Sequence, residues 1–206
     1  MQAYGAMREV MRDGDDRGRV VLSEVTTPFS VGVGALEGLA GEVTIVDGEA
    51  LVAQRDGERV RMRAPRTGEQ AALLLVGEVR AWRELPLPDC ADYATLEEHV
   101  AEALREAGMD PGEPTPVRVV GRAERLQMHV VAGACPIAAP NGPAPWRFDG
   151  RAEAVTLVGF FVEGAVGVLT HHSRRSHLHA IAGGKAGHLD DISLRDARLL
   201  LPLRTP

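Results

Sequence analysis

Short apolar runs separated by polar punctuation fill most of the chain, and most of them have the period of a β-strand. Residues 58–63 alternate Glu58-Arg59-Val60-Arg61-Met62-Arg63, apolar against charged, as a half-exposed strand does. Residues 41–53 carry two apolar runs on either side of Asp47-Gly48, and Asp-Gly between such runs predicts a hairpin. Residues 71–80 predict a more buried strand, and further strands are expected at 116–121, 125–132, 154–162 and 197–203. A helical period is clearest at 96–107, where Leu96, Val100, Ala103, Leu104 and Ala107 form one apolar stripe. Thr95 reads as its N-cap, Glu98 completes a Thr-x-x-Glu capping box, and Gly108 with Pro111 ends it. A shorter helix is expected within 2–12, with Met7, Val10 and Met11 on one face and the polar run 13–18 closing it. Residues 135–150 hold four prolines and two glycines, the mark of a loop or boundary. They divide the chain into an N-terminal α+β sheet region, 1–134, and a C-terminal β region, 135–206, expected to pack closely together. Few helices and many strands make the fold class α+β.

The 206 residues suffice to bury a core without disulfide staples. Aromatic residues are only 4 % of the chain, so aliphatic side chains must do most of the packing. The formal net charge of −6 disfavours nucleic acid as a partner, because an acidic surface repels phosphates. Two cysteines, Cys90 and Cys135, do not form a secreted disulfide framework. The first residues lack the continuous apolar region of a signal peptide. The most apolar stretch, 155–169, is broken by Glu163 and by glycines, and is shorter than the roughly 20 residues a spanning helix needs. The expectation is a cytoplasmic protein acting on a small molecule, with no membrane partner; self-association into a homodimer is compatible with the sequence.

The chemistry concentrates in residues 176–191. His177 and His179 are two apart and share a face if they lie on a strand. Gly183-Gly184 suits a two-residue hairpin turn. A bend there sets His179 opposite His188 and His177 opposite Asp190, and facing cross-strand Cβ atoms lie about 4.5–5.5 Å apart. Three imidazoles so arranged can converge on one divalent metal ion, and three protein ligands leave a position for water or substrate. The plain alternative is an exposed hairpin that happens to be rich in histidine. His171 and His172 fall in a polar loop and read as exposed, though near enough in sequence to lie over such a site; His99 reads as a helix-surface residue.

Along nearly its whole length the chain resembles α-acetolactate decarboxylase. The likeness runs through the opening helix and acidic loop, through residues 32–47 with the pair Gly41-Glu42, and through Thr156-Leu157-Val158-Gly159-Phe160. It ends in His177-Leu178-His179 and Gly187-His188-Leu189, which look like that family's ligand hairpin. The resemblance implies an α+β fold of two packed mixed or antiparallel sheets and a Zn²⁺ ion, or another divalent transition metal, on His177, His179 and His188. It implies loss of CO₂ from a 2-hydroxy-2-alkyl-3-oxo acid, as acetolactate gives acetoin, with Glu42 beside the metal as proton donor. The departures are specific. The spacing from His179 to His188 is shorter than the family's, and the family's pocket threonine falls on Ala35. The family's arginine falls on His129 or Gly133, according to the alignment. Its C-terminal glutamate has no counterpart before Pro206. Three readings follow: a decarboxylase in which Glu42 and His129 supply proton transfer and carboxylate contact; a different enzyme on the same scaffold, with aldol, isomerisation or cyclisation chemistry; and a non-catalytic metal-binding module.

Overall fold

A computed structural model describes residues 1–134, 141–165, 168–170 and 174–203, without the side chains of residues 11 and 12. The first sheet contains β1 (Gln2–Tyr4), β2 (Val20–Val21), β3 (Ser30–Leu36), β4 (Glu42–Val46), β5 (Glu49–Asp56), β6 (Arg59–Arg63) and β7 (Gln70–Glu78). Its order is β1-β7-β3-β4-β5-β6, with β2 also on β7. The second contains β8 (Trp82–Leu87), β9 (Thr115–Val130), β10 (Trp146–Phe161), β11 (Ser176–Ala182) and β12 (Lys185–Pro202), in the order β11-β10-β9-β12-β8. All pairings between these strands are antiparallel. The helices α1 (Met7–Arg12), α2 (Leu22–Val25) and α3 (Tyr93–Glu106) complete the fold, so the α+β expectation of two packed sheets and few helices holds. No helix among the described residues is long and apolar enough to cross a membrane.

Both predicted glycine hairpins form. Asp47 and Gly48 have φ of 49° and 79°, and Gly183 and Gly184 have 56° and 72°. Two successive positive φ values match the right-handed twist of the flanking strands. Several boundaries differ from the sequence reading. Residues 2–4 are a strand on β7, and Gly5, at φ 74°, turns the chain before α1 starts at Met7. Helix α3 begins three residues early: its N-cap is Asp92, whose Oδ1 accepts from the Thr95 amide and from the Thr95 hydroxyl, both at 2.8 Å. Thr95 is therefore a donor to the cap and not the cap itself: Asp92 starts the helix three residues earlier and takes the Thr95 amide, which places Thr95 inside the first turn. The strands expected at 116–121 and 125–132 are one strand, β9, and the last strand starts at Lys185 instead of near 197. Register shifts within β9, β10 and β12 insert polar breaks that look like strand ends in sequence but are bulges. Within the proline-rich stretch, residues 135–140, including Cys135, lie outside the described residues; β9 and β10, on either side, belong to the same sheet.

Strand β11 pairs with both β10 and β12, so β11, β10, β9 and β12 close on themselves. Leu126, Met128, Leu157, Leu178, Ala180 and Leu189 point into the resulting core, together with Leu96, Val100 and Leu104 of α3. Strand side chains alternate, so the residues between them face the other way. Val158 and Phe160 pack there against Val31, Val33 and Leu75 of the first sheet. His177 and His179 belong to this outward set, on the side occupied by β4.

Candidate metal centre

Four strands bring the site together. His179 lies opposite His188 across the Gly183-Gly184 turn, as the glycine pair requires. His188 in turn lies opposite His129 of β9. The expected pairing of His177 with Asp190 does not form: the β11–β12 ladder stops at His179, and His177 pairs with Phe160 of β10. Asp190 sits where the β12–β9 register shifts, between Leu189 and Asp191. The bulge turns its carboxylate to His129, with Oδ1 2.7 Å from Nδ1.

The three imidazoles still converge. Each of His177, His179 and His188 offers a ring nitrogen, and these nitrogens all lie within 4.8 Å of one another. Ring centroids are 5.5 Å apart for His177–His179, 5.1 Å for His177–His188 and 5.8 Å for His179–His188. All three residues are buried, His177, His179 and His188 being 3 %, 0 % and 9 % exposed. Three neutral imidazoles packed this closely give a borderline-soft donor set that suits a divalent transition metal. Thr44 Oγ1 lies 2.8 Å from His179 Nδ1. With that nitrogen donating to the hydroxyl, Nε2 presents its lone pair to the cluster, the usual way an outer partner fixes a ligand's tautomer.

Close backbone approach is required on both sides of the ligands. A Cβ on Gly159 would lie 2.0 Å from the His177 carbonyl oxygen, and one on Gly187 would lie 2.6 Å from the His129 carbonyl oxygen. Helix α3 anchors the start of β11. Buried Glu97 accepts from the Ser176 hydroxyl at 2.5 Å and from the Arg175 amide at 2.8 Å, and Ser176 also meets the Tyr93 hydroxyl.

Glu42 reaches the cluster from β4. Its carboxyl is buried, Oε1 accepts from the Val131 amide at 3.2 Å, and Oε2 is 3.6 Å from His179 Nε2. Burial pushes its pKa up to about 7, with the neighbouring His129 holding it back in part. Burial also disfavours the charged form of His129, but the hydrogen bond to Asp190 and the charge of Glu42 outweigh it, so this ring titrates above the ordinary histidine range. Of the expected site residues, Glu42, His129, His177, His179 and His188 thus come together. Ala35 is buried with Leu39 and Val131, and Gly133 donates its amide to the Leu39 carbonyl. His171 and His172 lie outside the described residues. Sequence reasoning missed Thr44 and the contact of Asp190 with His129. Thr44 stands two residues after Glu42 on the same strand and shares its face, which was an available signal; Asp190 depends on a bulge that no pattern announces.

Two packed sheets with a buried three-histidine cluster at their junction define a site whose donor set could hold a metal ion beside a buried carboxyl group. The chain belongs to the alpha-acetolactate decarboxylase family, whose model matches residues 3–202. Among solved structures it is similar to alpha-acetolactate decarboxylase from Bacillus subtilis strain 168, with a TM-score of 0.75 and 19 % identity over 98 % of this chain and 85 % of that one. A structure of acetolactate decarboxylase from Bacillus subtilis subspecies spizizenii gives 0.74 at 19 % identity, with the same coverage. A Staphylococcus aureus protein of unknown function similar to alpha-acetolactate decarboxylase gives 0.70 at 16 %, again covering 98 % of this chain and 85 % of that one. At such identities these likenesses establish the fold. No curated protein matches the chain.

Proposed function

We propose that this protein is a metal-dependent carboxy-lyase that removes CO₂ from a 2-hydroxy-2-alkyl-3-oxo acid, of the type that turns acetolactate into acetoin. The observation that carries the reading is the buried Glu42 carboxyl 3.6 Å from His179, within a cluster of three histidines, in a member of this family. His177, His179 and His188 would hold the ion, with zinc the first choice for three imidazoles. The chemistry such an ion supplies when bound is Lewis acidity toward the substrate's oxygens.

The protein's own residues carry the remainder. When the carbon–CO₂ bond breaks, its electron pair stays on the substrate as an enediolate, and that carbon must gain a proton. Glu42 is the proton source: burial favours its protonated form near neutrality, and the Val131 amide holds Oε1 so that Oε2 faces the cluster. A divalent cation nearby would pull the Glu42 pKa down again, so the acid works best when substrate charge offsets the ion. His129, whose protonated form is favoured by its contact with Asp190, would offer an N–H to the carboxylate that is lost. The closed ring of strands and the first sheet keep bulk water from the histidines. A cytoplasmic setting and a small-molecule substrate belong to the same reading.

The test is direct. Zinc-loaded protein incubated with racemic acetolactate should form acetoin and CO₂ in equal amounts, and Glu42→Gln should form far less. Acetoin no faster than the spontaneous background would overturn the decarboxylase reading. Turnover of β-hydroxy ketones in its place would favour aldol or isomerisation chemistry on the same scaffold.

A further inference from the structure

We infer that Arg147 is a specificity-determining residue that binds the anionic end of the substrate at the rim of the histidine cluster. This inference rests on the acid substrate proposed above. Arg147 of β10 lies opposite His129, which lies opposite His188, which lies opposite His179. Residues paired across antiparallel strands share a face of the sheet. One row of side chains therefore runs from a solvent-facing guanidinium, through His129, into the buried cluster.

The alternation of β10 supports this orientation. Phe148, the next residue, packs with the core on the opposite face. The Arg147 side chain is 61 % exposed, and its Nη1 lies 3.2 Å from Asp190 Oδ2. Among the described residues that is its one side-chain partner, so most of the guanidinium's donors face solvent. Arg174 approaches the same place differently. It donates to the Asp190 backbone carbonyl at 3.1 Å and its guanidinium lies over the Tyr93 ring, 4.1 Å from the centroid. That leaves the Asp190 carboxylate as the anion shared between His129 and Arg147. Two guanidiniums, Arg147 and Arg174, thus meet a single aspartate, Asp190, at the rim. A guanidinium with unengaged parallel N–H groups is the side chain best shaped to take a carboxylate through two hydrogen bonds. An acid entering with its ketone and hydroxyl toward the histidines would leave its carboxylate on the His129–Arg147 side of the row.

The experiment compares an anionic and a neutral probe. Zinc-loaded wild type, Arg147→Gln and Arg147→Lys are titrated by calorimetry with 2-hydroxy-2-methylpropanoate and, separately, with acetoin. The expected result is that Arg147→Gln weakens the hydroxy acid at least about tenfold while acetoin changes by less than about twofold, with Arg147→Lys between. Equal affinity of Arg147→Gln and wild type for the acid overturns the inference, as does a wild type that does not bind the acid. Equal loss of both probes, or loss of zinc from Arg147→Gln, overturns it too, because Arg147 would then only support the site. The readout does not need turnover. Discrimination between the probes without acetoin formation keeps the inference and removes the decarboxylase reading. Acetoin formation with unchanged acid binding in Arg147→Gln does the reverse.

Discussion

Strands β4 and β11 meet at the junction of the two sheets, and each sends two polar side chains, two residues apart, into it: Glu42 and Thr44 from one, His177 and His179 from the other. Both strands are almost wholly buried. The difference lies in where each pair finds its partners. The histidines of β11 gain their third member, His188, from the adjoining strand of their own hairpin. Thr44 meets its partner His179 across 135 positions of sequence. The three-histidine cluster is therefore a local product of one hairpin, whereas Glu42 and Thr44 join it only once the sheets dock. Changes to the hairpin should cost the ion itself. Changes to β4 should keep the ion bound, at most more weakly, and alter what is done with it.

The most damaging change expected is one that separates β11 from β10. Gly159→Ala puts a methyl group 2.0 Å from the His177 carbonyl oxygen, which is backbone and cannot swing away. A loss of roughly 3 kcal/mol or more is expected, at the upper end of the cost of overpacking, because the obstacle is fixed backbone. Chemical denaturation followed by circular dichroism would measure it. Gly77→Ala on β7 is the matched control, since its Cβ would meet Phe160 at an ordinary 3.5 Å; there the change should stay within about 1 kcal/mol. Equal effects at both positions would show that the ligand strand is not held by close backbone approach.

Next comes the contrast between the two strands' own polar residues. His179→Ala should lower bound metal from near one per chain to near zero, read by elemental analysis after dialysis. Glu42→Gln should retain the metal and lower acetoin formation by about 10²–10⁴-fold, the usual contribution of a positioned acid. A Glu42→Gln protein that loses its metal would move Glu42 into the ligand set and dissolve the division of labour between the strands. Thr44→Val should act more gently, weakening metal affinity by about 10–100-fold through the freed His179 ring. Competition with a chromophoric chelator would report it, and unchanged affinity would mean that the hydroxyl does not control the tautomer.

This division also explains what could be read from the sequence. The metal hairpin was legible because strand period and a Gly-Gly turn act over a dozen residues, and local rules fix the register of His179 on His188. Glu42 was found through family likeness and not through pattern. In β4 both faces are covered, so Glu42 and Thr44 do not stand out as an exposed polar face would. The contact of Asp190 with His129 was lost because one residue of bulge cancels the alternation on which the expected His177–Asp190 pairing depended. The N-cap of α3 was misplaced for a simpler reason: Asp92 and Thr95 are both good caps, and only the amide geometry chooses between them. The long strands β9 and β12 were cut short wherever a bulge admitted polar residues.

The smallest expected effect tests whether the first sheet has a weak point independent of the site. Where the chain passes from edge strand β6 to β7, Arg63 donates to both oxygens of Glu69, at 2.7 and 2.5 Å, and to Gln54 Oε1 at 2.9 Å. Both side chains are 14 % exposed. The paired guanidinium holds the Glu69 carboxyl below its ordinary range, against a smaller opposing push from burial. A carboxyl depressed in the folded state stabilises it fully only above the unfolded value near 4.5, and that stability is lost as pH falls through the folded value. Glu69→Gln should therefore cost about 1 kcal/mol at pH 7, with the difference from wild type shrinking steadily below about pH 4.5. Metal content should not change at pH 7, because the pair belongs to the connection between β6 and β7 and touches none of the histidines. Loss of metal in Glu69→Gln would mean that the two sheets are coupled to the site through β6, whose Met62 Sδ accepts from the Ala186 amide of β12, as well as through β4 and β11, and the contrast between those strands would no longer account for the site.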